Sequence, residues 1–221
     1  MSLILHFHPL SSFCWKALTA LYENDTPFTP NLVNLGDPAE RAALAKLSPI
    51  CRFPVLEDKA RSEVVPESSI IIEYLDQHYP GRTQLVPADA ELARQTRLQD
   101  RFYDLYVNVP MQKVVTDKLR PSGKNDPHGV EAARALLHSA CDMIEREMAA
   151  KTWAMGDAFS MADCAAAPSL FYADWVHQIG SAFPRLRGYR SRLLARPSFA
   201  RAVEEGRAYR SYFPLGAPDR D

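Results

Sequence analysis

The sequence predicts an α/β domain over residues 1–80, a linker over 81–90 and an all-α helical bundle over 91–221. Three observations carry this. Short apolar runs alternate with helical patterns up to residue 80, Pro80-Gly81 opens a proline-containing connection, and every apolar stripe beyond it repeats at helical spacing. A chain of 221 residues, 47% hydrophobic and 24% charged, is long enough for one large or two small cores and has the composition of a soluble globular protein. No apolar run approaches the ~20 residues that span a bilayer, and the N-terminus lacks the charged-then-apolar pattern of a signal peptide, so a cytoplasmic location and no membrane are expected. A net charge of −1 leaves no electrostatic footprint for nucleic acid. Cys14, Cys51, Cys141 and Cys164 form no Cys-x-x-Cys pair and have no histidine partners at zinc spacing, so neither a metal nor a disulfide framework is expected.

Leu3-Ile4-Leu5-His6-Phe7 is short, largely apolar and stops before Pro9, which suits a buried central strand. A helix follows, with Cys14, Leu18, Leu21 and Tyr22 as its apolar stripe, so Ser11 and Ser12 fall at the strand-to-helix junction. Phe28 to Leu35, broken by Pro30, reads as a strand at or near an edge. Asp37-Pro38-Ala39-Glu40 supplies an N-cap, a proline at the first helical position and an acid at the third; that helix runs until Pro49 imposes an extended residue before it. Val55-Leu56 and Val64-Val65, on either side of Asp58 to Glu63, read as a hairpin. Ile71, Tyr74, Leu75 and His78 then mark one face of a further helix. The order strand, helix, strand, helix, strand, strand, helix suits a thioredoxin-like domain.

Beyond the linker, Leu98, Phe102, Leu105, Tyr106 and Val109 form one stripe, bent or ended by Pro110. Ala133, Leu136, Leu137, Ala140, Ile144 and Met148 form a second, capped by Asp126-Pro127. Ser160-Met161-Ala162-Asp163 is a capping box opening a helix whose alanines and cysteine place it centrally. Long helices with short loops make a bundle.

Binding chemistry concentrates between Ser48 and Tyr74. Pro54 heads its strand, and a cis bond there would turn the Phe53 backbone outward to pair with an extended, peptide-like ligand. Ser68 falls at a helix N-terminus, where free N–H groups and the positive dipole end hold a carboxylate, while Glu67 beside it can pair an ammonium group. Together these would hold an amino-acid head group. Ser11-x-x-Cys14 has the spacing of a redox Cys-x-x-Cys whose first cysteine is serine. Such a serine cannot form a mixed disulfide, but its hydroxyl can donate to the sulfur of a bound thiol and lower that thiol's pKa. Ser11 or Ser12 capping the helix is the plainer alternative, and Cys14 is equally a small core hydrophobe.

The stretch Ser48-Pro49-Ile50-Cys51-Arg52-Phe53-Pro54-Val55-Leu56, followed by Glu67-Ser68 with Ile71, Tyr74 and Leu75, resembles the glutathione-binding segment of the cytosolic glutathione transferases, with Ser48, Cys51 and Phe53 as departures. Ser11-Ser12-x-x-Trp15-Lys16 is similar to the serine-type catalytic segment, in particular that of the zeta class, from which Phe13, Cys14 and Lys16 depart. The capping box and the later Phe183-Pro184 and Arg196-Pro197 segments resemble that family's helical domain. The resemblance implies glutathione as co-substrate, a homodimer, no metal, and a detoxifying transfer of the thiol to an electrophile. It implies Ser11 as the catalytic residue, with Ser12 and Cys14 in reserve, and glutathione held by Arg52, Phe53, Pro54, Glu67 and Ser68. It further implies an electrophile pocket between Leu10 and Phe13 on one side and Tyr103, Tyr106, Met111 and Trp175 on the other. Asp100 and Asp104 are either a solvated helix face or acids that reach a partner subunit's glutathione amine. The alternatives are a zeta-type isomerase, a thiol-disulfide reductase using Cys14 or Cys51, and a glutathione-binding protein without turnover.

Overall fold

The computed structural model describes residues 2–221. Its N-terminal third is organised on β1 (Leu3–Phe7), one of the two inner strands of a four-stranded sheet. β1 pairs in parallel with β2 (Thr29–Leu32) and antiparallel with β3 (Val55–Asp58), which in turn pairs with β4 (Glu63–Pro66) to give the order β2-β1-β3-β4. The edge position of β2 is the one that Pro30, lacking an N–H, tolerates. α1 (Ser12–Glu23) makes the crossover from β1 to β2, and every residue of it except Phe13 is buried, because it is wedged between the sheet and the helical domain. α2 (Pro38–Leu47) starts where Asp37 accepts from the Ala39 and Glu40 amides, and it buries only Leu44.

α3 (Ser68–His78) covers the same face of the sheet as α1. Its buried apolar residues are Ile71, Ile72 and Leu75. Tyr74 and His78, expected on that face, flank it instead, since the Tyr74 hydroxyl turns to donate to Asp58 Oδ2 at 2.8 Å and its ring packs edge-on against His78. Asp58 is fully buried; the Tyr74 and Tyr79 hydroxyls and the Ala60 and Arg61 amides hold its carboxyl below the usual range despite that burial.

The helical part comprises α4 (Ala90–Phe102), a π-helical segment (Tyr103–Asn108), α5 (Val109–Asp117), α6 (Pro127–Glu147), α7 (Met161–Val176), α8 (Pro184–Ala195) and α9 (Pro197–Gly206), with a 3₁₀ segment at Arg207–Tyr212. Pro110 does not end its helix. The wide π turn ahead of it runs the chain directly from α4 into α5 and accommodates the ring and the missing amide. The first apolar stripe is reversed at every position but Phe102, which is buried: Leu98 is 58% exposed and Leu105, Tyr106 and Val109 are also exposed, while the buried face carries Thr96, Asp100, Asp104 and Asn108. In α6, Leu136 is exposed and Cys141 takes its place in the core.

α7 runs through the centre of the bundle. Its N-terminus is closed by the capping box, in which Asp163 Oδ2 accepts from the Ser160 amide at 2.9 Å. Asp163 Oδ1 takes the Ala154 amide and the Tyr189 hydroxyl, so one buried carboxylate ties α7 to α8 and to the loop before it. α9 then returns onto α1, and Gly206 permits the approach, since a Cβ there would lie 2.4 Å from Trp15 Cζ2. Glu23 at the end of α1 is gripped by Arg196 and Ser198 at the start of α9 and by Thr83.

Candidate functional site

The segments before β3 and before α3 close around one cavity of about 200 Å³. Its walls are Phe13, Ser48, Ile50, Arg52, Phe53, Pro54, Pro66, Glu67 and Ser68. All five residues expected to hold glutathione are among them. The Phe53-Pro54 peptide is cis. Cys51, which replaces a glycine of the resembled pattern, stands at φ 55° with its amide donated to Ser48 O at 2.8 Å. The loop therefore keeps a left-handed turn without a glycine, at a cost of roughly 1–2 kcal/mol. Glu67 occupies the N-cap of α3 at φ 70° and makes no side-chain cap. The first amides of α3 are left for an anion at the end of the cavity, beside the Glu67 carboxylate.

Across this cavity stands the N-terminus of α1. Ser11 is its N-cap: the Ser11 Oγ accepts from the Cys14 amide at 3.3 Å, and the Ser11 amide donates to His8 O at 3.1 Å. Capping uses a lone pair of Oγ and leaves its O–H free to donate, so capping and activation of a bound thiol are compatible in one serine. Ser11 is not itself a wall of the cavity; Phe13, two residues on, is. Ser12 is buried and turned the other way, accepting from Gln112 Nε2 of α5 at 3.3 Å. Cys14 is wholly buried, and burial pushes its thiol up to about 12, outweighing the hydrogen bonds it receives. It is a protonated core side chain at neutral pH, which removes the thiolate that a reductase would need there. Cys51 is half-buried, and its Sγ donates to Arg41 O at 3.4 Å.

A charged cluster lies beneath both halves of the site. Lys16, on the buried face of α1, has its Nζ 2.6 Å from Asp100 Oδ1 and 2.8 Å from Asp104 Oδ2, all three side chains at least 96% buried. Lys16 also donates to Ser69 Oγ at 2.8 Å, Ser69 donates to Asp100 Oδ2 at 2.7 Å, and Arg101 closes the cluster against Ser69 and Asp104. Burial raises the Asp104 carboxyl above its ordinary value against the pull of Lys16. Asp100 and Asp104 are thus not a solvated face. Their carboxylates point inward to a lysine, and through Ser69 they adjoin the N-terminal turn of α3.

The residues expected around the electrophile do not converge. Tyr103 and Met111 are buried in the core, Tyr106 lies exposed on the outer face of the π segment, and Trp175 packs among Phe171, Tyr172 and Phe213. Leu10 and Phe13 are partly exposed at the start of α1. Helical spacing of large apolar side chains marks a core before it marks a pocket. A larger cavity of about 440 Å³ lies elsewhere, between β1, β2, α1 and α9, with Phe7, Trp15, Tyr22, Phe28 and Arg201 among its walls. Two features had no separable signal in the sequence: Ser69, one more serine in a run, and His8, one residue beyond β1. Among the described residues no cluster of His, Cys, Asp and Glu is arranged to hold a metal, and no helix is long and apolar enough to cross a membrane.

Comparison with known proteins bears on both parts of the chain. The family models for the N-terminal and C-terminal domains of glutathione S-transferase match residues 5–83 and 127–192. The stringent starvation protein A homolog of Haemophilus ducreyi is 27% identical over 192 residues, covering 83% of this chain and 81% of that protein. The maleylacetoacetate isomerase of Pseudomonas aeruginosa is 25% identical, covering 91% and 95%. A glutathione S-transferase from Methylobacillus flagellatus, solved with glutathione bound, superposes with a TM-score of 0.83 at 24% identity over 91% of this chain and 98% of its own, a likeness of fold. Since the matched segments include the cis-proline loop, α3 and the capped helix α7, this chain belongs to the glutathione S-transferase family.

Proposed function

We propose that the protein is a transferase that binds glutathione in the cavity of about 200 Å³ and uses Ser11 to hold its thiol as a thiolate for attack on an electrophilic carbon. The observation that carries this is the convergence of Arg52, Phe53, Pro54, Glu67 and Ser68, from two separate segments, on one cavity opposite the N-terminus of α1. In this reading the γ-glutamyl carboxylate sits on the N-terminus of α3 at Ser68, its ammonium on Glu67, the cysteinyl backbone on Phe53 and the glycyl carboxylate near Arg52. The thiolate attacks and the leaving group departs. Burial of Cys14 counts against the reductase alternative at that residue. The kinship with maleylacetoacetate isomerases favours a second reading, in which the thiolate adds to a cis double bond and departs again with glutathione unconsumed.

An ultraviolet difference titration with glutathione across pH tests the first step. Thiolate absorbance on the protein at a pH well below the ~8.5 of a free cysteine is expected. No binding, or binding with an unshifted thiol, rejects the mechanism. Glutathione consumption during turnover of a maleyl-type substrate then separates transfer from isomerisation.

The exposed apolar residues of α4, the π segment and α5 support a homodimer. Leu98, Leu105, Tyr106 and Val109 are all exposed, a run of large apolar side chains more typical of a subunit contact than of free surface. Sedimentation velocity is expected to give a dimer that Leu105→Glu with Val109→Glu splits into folded monomers; a monomeric wild-type protein at micromolar concentration rejects this assignment.

A further inference from the structure

We propose that His8 is a positioning residue for the glutathione site, its neutral imidazole holding the Phe53 loop and the Ser11 turn in register. The inference rests on the glutathione reading of the cavity. His8 follows β1 and touches both halves of the site at once. Its ring stacks on that of Phe53 with centroids 5.5 Å apart and planes inclined by 15°. Its Nδ1 accepts from the Leu10 amide at 3.2 Å, and its carbonyl accepts from the Ser11 amide at 3.1 Å. Its own amide donates to Cys14 Sγ at 3.4 Å. The backbone assigned to the cysteinyl moiety and the serine assigned to its sulfur therefore meet at a single residue outside the cavity wall, the first through its ring and the second through its carbonyl, in a turn that the ring's Nδ1 braces at Leu10.

The hydrogen bond from Leu10 sets the protonation state. An Nδ1 that accepts carries no proton, so the proton of the neutral ring is on Nε2. Protonating Nδ1 replaces this acceptor with a donor facing another donor and releases the turn that precedes Ser11. From α1 the titratable group against His8 is the Cys14 thiol, uncharged at neutral pH; from the loop before β3 it is met by the uncharged Phe53 ring. Burial alone lowers the imidazole from its ordinary value of 6.5, in the direction that keeps the ring neutral. Positioning then requires glutathione and a proton on Nδ1 to oppose each other. By linkage, acid weakens glutathione binding and glutathione makes His8 harder to protonate, by the same factor.

The test is histidine NMR of the full chain, with His8 assigned by its loss in His8→Asn, in the absence and presence of saturating glutathione. The His8 midpoint, already below 6.5 in the free protein, is expected to move further down on saturation. Calorimetry is expected to show affinity falling as the pH drops from 6.5 to 5, a window in which free glutathione is silent, since its carboxyls titrate below about 4 and its amine and thiol above about 7.5; any titration of the bound thiol is common to the wild type and His8→Asn and cancels between them. Asn offers an Oδ1 acceptor where Nδ1 stood and does not titrate, so His8→Asn should bind at neutral pH and lose the acid dependence. His8→Leu should bind roughly three- to tenfold more weakly at pH 7, the worth of one hydrogen bond. A His8 midpoint unmoved by bound glutathione, or matching pH profiles for the wild type and His8→Asn, overturns the inference and leaves the site intact. Absence of glutathione binding at every pH overturns the site, and this role with it.

Discussion

Replacing Ser11 with alanine is expected to raise the pKa of the bound glutathione thiol by about one to two units and to lower kcat/KM at neutral pH roughly ten- to hundredfold. The size follows from the bond removed, since a hydrogen bond to a charged acceptor is worth about 1.5–3 kcal/mol and one pKa unit is 1.36 kcal/mol. Affinity should change little, because the head group and the backbone of the cysteinyl moiety are held by Ser68, Glu67 and Phe53. The lost cap on the Cys14 amide also lowers stability by about 1 kcal/mol, so thermal melting of the same variant separates the two effects. Two controls bracket the result. Ser11→Thr keeps both the cap and the hydroxyl and should retain most of the thiol shift, and Ser12→Ala, which removes only the acceptor for Gln112, should leave the thiol where it is. A thiol pKa unchanged in Ser11→Ala would transfer the role to a backbone amide of the α1 N-terminus.

Much of this site was legible in the sequence because its parts are local. Pro54 before an apolar pair, Glu67-Ser68 before a helical stripe and Asp37-Pro38 at a helix start are each written within a few residues, and each forms the structure that its chemistry implies. What was not legible depends on partners distant in the chain. The stripe of Leu98, Leu105, Tyr106 and Val109, running from α4 through the π segment into α5, is apolar enough to be read as core. The face that α4 and the π segment bury instead holds two aspartates, because a lysine 84 and 88 residues earlier, in α1, is buried opposite them. No periodicity within α4 carries that information. The same limit applies to the electrophile pocket: Tyr103 and Met111 have the spacing of a helical face, and both are taken into the core while Tyr106 between them is left exposed.

The buried cluster makes the largest expected change in stability. Lys16→Met keeps the length and packing of the side chain and removes its charge, leaving two carboxylates with no more than 4% of their side-chain surface exposed and only Arg101 to balance them. Breaking a buried pair in this way costs about 3–5 kcal/mol at pH 7, more than the pair itself contributes, since the desolvation of the survivors is no longer offset. Its sign with pH is distinctive. The Asp104 carboxyl is already raised in the folded protein by burial, and removal of Lys16 raises it further. A folded-state pKa above the unfolded value means that the folded protein binds the proton first. The stability of Lys16→Met should therefore rise as pH falls from 7 toward 5, while at the same pH values the wild type, with its carboxylates compensated, changes less. Urea unfolding at the two pH values reads this directly, and a deficit of the same size at both would mean that water reaches the carboxylates. Lys16→Met combined with Asp104→Leu should recover part of the loss, as apolar replacement of both members of a buried pair does. Recovery of fold without recovery of glutathione affinity would separate the two duties of the cluster. Ser69 holds the N-terminal turn of α3 against Lys16 and Asp100, and that turn is where the head group is to bind.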